Sequence, residues 1–385
     1  MMDKILRKIK PSKEEEKRVE RLILPVLADI KNSDIKAIVG GSFAKDTWLS
    51  GIHDIDIFVK FNYKKFRGKS DKLADILEKK IKKLKPVRLH GSRDYFQLNR
   101  GNITFEIVPI LDIKKASQAI NITDISPLHA LWVKKHKLQD EIRLVKTFAK
   151  AQHVYGAETH IMGFSGYVLE ILTIYYGSFM NFILGVSKWK DKTVIDPERL
   201  LSNPLKELNK AKTESPLILV DPVDKTRNAA AVLSKDRYYK LIDAAKKFLN
   251  TPSDKFFELK EETIPKNAIS IEIKVSKGKS DVVAGKLYSL FKKIKRQLIL
   301  KGFKIKKSGF IFKDRAIFWF IFKKEKLPKF KDVKGPPLKM KKHVERFKKK
   351  HKKSFIKGNY IYTKEKRMFS DAEKFLKYLI RKFKK

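Results

Sequence analysis

Apolar positions along the chain change their period three times, and each change predicts a different kind of element. In residues 12–31, Val19, Leu22, Ile23 and Val26 recur at helical spacing behind Ser12 and Glu15, a capping-box pair, so an amphipathic helix is expected there. "IKAIVGGS" then reads as a short apolar strand ending in glycines. "DIDIFVKF" alternates charged and apolar residues before running apolar, as a strand with one polar edge and one buried face should. Residues 71–83 predict a basic helix with Leu73, Ile76, Leu77 and Ile81 inward, and two more strands, "DYFQLNR" and "ITFEIVPIL", flank the turn-like Gly101-Asn102. Strands mixed with helices to about residue 115 indicate an α/β domain.

From about residue 137 to 258 the period is helical, clearest in "DEIRLVKTFAKAQ", "MGFSGYVLEILTIYYGSFMNFIL" and "SKDRYYKLIDAAKKFLN". After Pro252 the pattern changes again. "AISIEIKV" alternates as a strand, residues 284–300 form a helical pattern, and "GFKIKKSGFIFKDRAIFWFIFKK" holds two or three strands, a β-α-β-β order of the kind RNA-binding domains use. The expected domains are therefore 1–136, 137–258 and 259–385, in an α+β chain without internal repeats.

Composition narrows the function. Among 385 residues there are 89 Lys and Arg against 43 Asp and Glu, a net charge of +46, which favours a polyanionic partner such as nucleic acid. The absence of cysteine excludes disulfides, thiolate metal sites and cysteine nucleophiles. No apolar signal-peptide core is present at the charged N-terminus. Residues 164–186 approach membrane-spanning length, but Glu170, Asn181 and the Gly177-Ser178 pair favour a buried helix, or two helices broken near Gly177. A soluble cytoplasmic protein without membrane contact is expected. Residues 329–385 carry 22 Lys and Arg against 5 Asp and Glu, interleaved with Phe347, Phe355, Tyr360, Tyr362, Phe369, Phe375 and Tyr378. Some of these rings are expected to pack on their own core, and the region to offer phosphate contacts and surfaces for bases or sugars.

Candidate chemistry concentrates in "GGSFAKDTWLSGIHDIDIF". Asp54 and Asp56, two apart on a strand, share a face within reach of one or two cations. Carboxylate oxygens suit Mg²⁺, which shares its coordination with substrate phosphates. Gly41-Ser42 lets backbone approach closely and supplies a hydroxyl and helix-start N–H groups for phosphate. Glu106 in "ITFEIVP" is a costly charge among apolar neighbours unless it faces a metal or a partner.

Gly-Ser, this gap and acid-apolar-acid resemble the signature of the polymerase-beta-like nucleotidyltransferase superfamily. The longer string, with "SPLHALWV", "IRLVKTFAKAQHVYGAE", "GFSGYVLEILTIYYGSF" and "VDPVDKTRNAAAVLS", is similar to the archaeal (class I) CCA-adding enzymes over the first 235 or so residues. The resemblance is looser beyond residue 260, where members of the family usually continue further at the C-terminus. It implies a palm domain, a helical central domain and a small α/β, RRM- or ferredoxin-like RNA-binding region. The implied activity is template-independent addition of C, C and A to the tRNA 3′ end from CTP and ATP, with Mg²⁺.

The metal carboxylates of the family fall on Asp54, Asp56 and Glu106, where relatives often have Glu first and Asp third. Ser42 and Lys45 match positions that touch the triphosphate, Lys45 standing where relatives often carry Arg. His129, Lys146 and Tyr155 match further nucleotide-binding positions, Arg227 matches the arginine that reads the base edge, and Ser126 lies beside His129 in a matching stretch. The implied partner is the 3′ end and the acceptor and T arms of tRNA, and a homodimer is compatible with it. A poly(A) polymerase or other terminal nucleotidyltransferase shares the palm signature, and an inactive RNA-binding scaffold of the same fold is the alternative from another class. A DNA-repair polymerase fits less well, because the middle and C-terminal stretches resemble the tRNA enzyme.

Overall fold

The structure, a computed structural model, describes residues 1–31, 35–51, 54–275 and 280–383, and divides into two units, Met1–Lys260 and Glu261–Lys385. The first unit opens with α1 (Met2–Ile9) and α2 (Lys13–Ile30). Then come β1 (Lys36–Val39), the single turn α3 (Gly41–Ala44), β2 (Asp54–Asn62), α4 (Tyr63–Phe66) and α5 (Leu73–Ile81), followed by β3 (Val87–Leu89), β4 (Tyr95–Arg100) and β5 (Ile103–Asp112). The five strands form one sheet in the order β1-β2-β5-β4-β3. Only β2 and β5 run parallel; their neighbours are antiparallel.

Alternation along β2 and β5 explains the layering. Ile55, Ile57, Val59 and Phe61, with Phe105 and Ile107, are buried against Val19, Ile23 and Val26 of α2 and Leu73, Leu77 and Ile81 of α5. Helices therefore cover one face of the sheet, and the intervening residues of β2 and β5 occupy the other. Capping of α2 departs in part from the sequence expectation. Ser12 Oγ accepts from the Glu15 N–H, but the Glu15 carboxylate accepts from Ser50 Oγ (2.7 Å) and the Gly51 N–H (2.9 Å). The reciprocal half of the box is thus given up to hold the turn that leads into β2.

Residues beyond β5 are helical: α6 (Ser126–Lys135), α7 (Gln139–Ala151), α8 (Gly166–Tyr176) and α9 (Phe179–Ser187). A small parallel pair, β6 (Thr193–Ile195) and β7 (Leu217–Leu219), brackets α10 (Pro204–Glu207), and α11 (Lys235–Asn250) follows. The long apolar stretch breaks where the glycine predicts. Gly177 caps α8 in the left-handed region (φ 80°), Ser178 caps α9 by accepting from the Asn181 N–H, and the two helices meet at 96°. Among the described residues no single helix is long and apolar enough to cross a membrane.

Residues 1–136 and 137–258 do not separate as compact units. Ile5 of α1 and Trp132 and Val133 of α6 lie in the helical core with Phe148, Leu169 and Phe248. Buried Arg143 of α7 also donates to the Trp48 carbonyl (3.0 Å) and to Asp46 (2.6 Å) in the turn after α3.

In the second unit, β8 (Ile269–Lys274), α12 (Ser280–Leu300), β9 (Ile305–Phe312) and β10 (Arg315–Phe322) give the expected β-α-β-β order, with the antiparallel sheet arranged β8-β10-β9. This is the strand order of the first three strands of a ferredoxin-like sheet. A second antiparallel sheet, β11-β13-β12, follows from β11 (Phe330–Pro337), α13 (Lys341–Lys350), β12 (Ser354–Lys357) and β13 (Tyr360–Lys366). α14 (Ala372–Phe383) then returns to the β8-β10-β9 sheet, where Phe375, Leu376 and Leu379 pack with Phe291 and Phe318.

Gly177 has no atom within 4 Å of a Cβ added to it, so a substitution there tests backbone strain alone. Gly177→Ala is expected to cost about 1 kcal/mol, read as a lower denaturant midpoint with an unchanged slope.

Candidate active site

The polar face of the sheet is set by register. In the parallel β2–β5 ladder Asp56 pairs with Glu106 and Asp54 with Thr104, so the three carboxylates named from the sequence share the face opposite α2 and α5. Glycine is required beside them. The Gly40 N–H donates to the Asp56 carbonyl (2.8 Å), and a Cβ on Gly40 would lie 2.3 Å from the Phe58 ring. Gly41 has φ +56°, and a Cβ there would fall 1.7 Å from Asp56 Oδ2. The Gly-Gly pair thus brings the turn that carries Ser42 directly onto the acid pair, the close approach that only glycine permits.

Burial pushes the Asp56 carboxyl above its ordinary value, with Lys45 opposing and Asp54 adding to the rise. A desolvated carboxyl with a second acid on the same face, both hard oxygen donors, fits a divalent cation. Among the described residues no three His, Asp or Glu side chains already converge at metal-ligating distance. The fit therefore rests on the desolvation of Asp56 and on the shared face of Asp54, Asp56 and Glu106.

Lys45 and Lys146 meet at a residue the sequence reading used only against a membrane span. Glu170 of α8 is buried; Oε2 accepts from Lys45 Nζ at 2.7 Å, and Oε1 accepts from Lys146 Nζ at 2.7 Å and Thr47 Oγ1 at 2.8 Å. Lys146 also donates to Thr47 Oγ1 (2.9 Å) and the Thr47 carbonyl (3.3 Å), so all three of its N–H groups have acceptors. Burial alone would raise the Glu170 pKa, but Lys146 and Lys45 overcome it and hold the carboxyl at about 2. One turn on from Lys146, Lys150 lies 5.0 Å over the Tyr155 ring and feels the charge of Asp54. The Tyr155 hydroxyl reaches the start of α8, where a Cβ on Gly166 would sit 2.9 Å away.

A second carboxylate plays the same part for Arg227. Asp221 is fully buried; it accepts from Arg227 Nη1 (2.7 Å) and Tyr167 Oη (3.1 Å), and His129 Nε2 lies 3.1 Å from it. Burial would raise Asp221, but His129 and Arg227 bring it to about 2. Burial lowers the His129 pKa, against the opposing pull of Asp221. Tyr167 stacks on His129 (4.0 Å) and lies under Lys45 (5.1 Å), so Tyr167 and Glu170, three apart on α8, join the two clusters. Ser126 begins α6 one turn before His129 and is outside this direct contact set.

Sequence reasoning missed Glu170, Asp221, Tyr167, Thr47 and Lys150. The signal for Glu170 was present: a lone acid in the apolar run "YVLEILTIYY", the same argument that singled out Glu106. Glu170→Gln keeps the shape and strands two buried ammonium groups, which is expected to cost about 3 kcal/mol in urea unfolding. Glu170 falls from an ordinary 4.5 to about 2 on folding, so its contribution is complete above pH 4.5 and is lost as pH falls towards 2. Across that window the variant's stability should fall less steeply with acid than the wild type's.

Known proteins match successive parts of the chain. Residues 20–126 match the family description "Nucleotidyltransferase domain", 140–258 "tRNA nucleotidyltransferase, second domain", and 267–385 "CCA-adding enzyme, C-terminal domain". The CCA-adding enzyme of Nanoarchaeum equitans (strain Kin4-M) is 36% identical over 372 residues, which covers 94% of this chain and 92% of that protein. That of Saccharolobus shibatae is 34% identical over 314 residues, covering 79% and 73%. Among solved structures, Cid1 in complex with its short product ApU superposes with a TM-score of 0.53 at 15% identity, over 67% of this chain and 96% of that one, which shows a shared fold. A nucleotidyltransferase sheet, its second domain and its specific C-terminal domain follow one another in a single chain, which therefore belongs to the CCA-adding enzyme family of tRNA nucleotidyltransferases.

Proposed function

We propose that this protein adds C, C and A to the 3′ end of tRNA without a template, from CTP and ATP, with release of pyrophosphate. The observation that carries the reading is the parallel register of β2 and β5, with Asp56 beside Glu106 and Asp56 against the Gly40-Gly41 turn. In this reading residues 1–136 act as the nucleotidyltransferase domain, 137–258 recognise the base, and 259–385 hold the acceptor and T arms. A cytoplasmic location belongs to the same reading.

Asp54, Asp56 and Glu106 would hold Mg²⁺. When bound, the metal supplies Lewis-acid activation of the attacking hydroxyl and charge neutralisation at the triphosphate. The other roles fall to the chain itself. Ser42 and the N–H groups of its turn hold phosphate oxygens, and Lys45, anchored by Glu170, adds its positive charge to them. Lys146 acts through charge and through Glu170, because its own donors are committed. Arg227, fixed by Asp221, keeps guanidinium N–H groups for the acceptors of the incoming base. Tyr155, Ser126 and the His129–Tyr167 stack complete the nucleotide pocket.

With the nucleotide held, the tRNA 3′-hydroxyl attacks the α-phosphorus in line. Glu106 takes the hydroxyl proton, a new P–O bond forms, and the bond to the β-phosphate oxygen breaks to release pyrophosphate. Positioning and electrostatics carry most of the acceleration.

Two measurements test this. Asp56→Ala should abolish nucleotide incorporation while tRNA affinity stays within about threefold of wild type; turnover at the wild-type rate would refute the assignment of the site. Incorporation on tRNA ending before C, after one C and after two, with each NTP in turn, should give C, C and A and then stop. Continued addition from ATP would instead identify a poly(A)-type activity.

A further inference from the structure

We infer that the face of the β11-β13-β12 sheet turned away from α13 is an RNA-docking surface on which unpaired bases stack. The inference rests on the tRNA reading above and assigns part of that contact to named residues.

The structure sorts the seven rings named above from the basic C-terminal stretch, which also holds Phe330 and Phe383. Phe375 is buried in the core of the second unit, with Phe369 and Tyr378 packed on it. Phe347 of α13 lies on the sheet where Gly335 makes room: a Cβ there would be 2.8 Å from the ring and 2.9 Å from Ile361. These four rings serve the protein's own packing. The remaining three, Phe355, Tyr360 and Tyr362, do not.

Alternation along β13 separates them. Ile361 and Thr363 are buried on the α13 side, so Tyr360, Tyr362, Lys364 and Lys366 point to the other side. Tyr362 pairs with Phe355 on one flank and Lys334 on the other. The Tyr362 and Phe355 rings lie 5.9 Å apart at 24°, and the Lys334 ammonium sits 3.3 Å over the Tyr360 ring. All three rings are half-buried, and among the described residues neither tyrosine hydroxyl makes a hydrogen bond. Asp332, opposite Lys364, is the face's own acid, 3.9 Å from Lys357.

Adjacent, near-parallel rings framed by lysines match one ligand chemistry: bases that stack on the rings while their phosphates meet the ammonium groups. A purely apolar partner would leave Lys334, Lys364 and Lys366 without counter-ions. A regular duplex would present phosphates to the lysines but no free base to the rings. The occupant is therefore a looped or unpaired segment of the RNA substrate.

The test is binding of tRNA lacking its CCA end to the full chain at fixed salt. The double variant Phe355→Ala/Tyr362→Ala is expected to bind at least tenfold more weakly, with KM for tRNA raised in parallel and KM for CTP unchanged. Tyr362→Phe and Phe355→Tyr, which keep the rings, should bind as wild type. A blunt RNA duplex should bind wild type and double variant equally. Should the alanine pair disturb folding in a thermal melt, Phe355→Leu/Tyr362→Leu fills the volume without rings and carries the same expectation. Unchanged tRNA affinity in a folded variant overturns the inference, and so does an equal loss on the duplex, which would mean backbone contact without stacking. Failure of wild type to bind tRNA at all would instead count against the tRNA reading.

Discussion

The first unit depends on one buried charge. Glu170 sits in an apolar helix, where an unpaired carboxylate would not be tolerated, and it is stable only because Lys45, Thr47 and Lys146 all donate to it. Those donors come from different places: Lys45 and Thr47 from the turn after the glycine pair, Lys146 from α7. The same carboxylate that is neutralised by them therefore locks the turn after the glycine pair onto the helical region. Arg143 repeats the tie one turn earlier on α7 through Asp46 and the Trp48 carbonyl. Residues 1–136 and 137–258 lie in one compact unit, joined by these ties.

Two lysines around one glutamate leave a net positive charge beside the acid pair of β2. In the proposed function, that charge balance suits a cation at the acids and phosphate oxygens near Lys45. Asp221 does the equivalent work for Arg227, fixing its guanidinium, which the proposed function assigns to the incoming base. α8 links the two halves, with Tyr167 facing Asp221 and Glu170 facing the lysines.

Much of this was legible in the sequence where the signal is local. Period and turn chemistry locate α2, the β2 and β5 strands, the hairpin at Gly101-Asn102 and the helix break at Gly177-Ser178, because each depends on residues within a few positions of one another. The acids and the glycine pair were legible for the same reason, since spacing of two on a strand already dictates a shared face. Glu15 shows the limit. Its capping-box position is correct, yet its carboxylate goes to Ser50 and Gly51, 35 and 36 residues away, and no local pattern distinguishes those partners. The aromatic rings of the C-terminal stretch show it again: interleaving with lysine looks alike for Phe375, which is core, and Tyr362, which faces outward.

By itself, then, the sequence determined the elements, the polar and apolar faces of the strands, the acid pair with its glycine turn, and a basic chain suited to a polyanion. These follow from local sterics, side-chain period and net charge. Tertiary structure alone decided that Glu106 falls beside Asp56, that Glu170 and Asp221 orient the cationic groups, and which rings stay outside the core. The physical reason is that strand register and the pairing of buried charges are contacts between distant residues, chosen by desolvation and geometry once the chain has closed on itself.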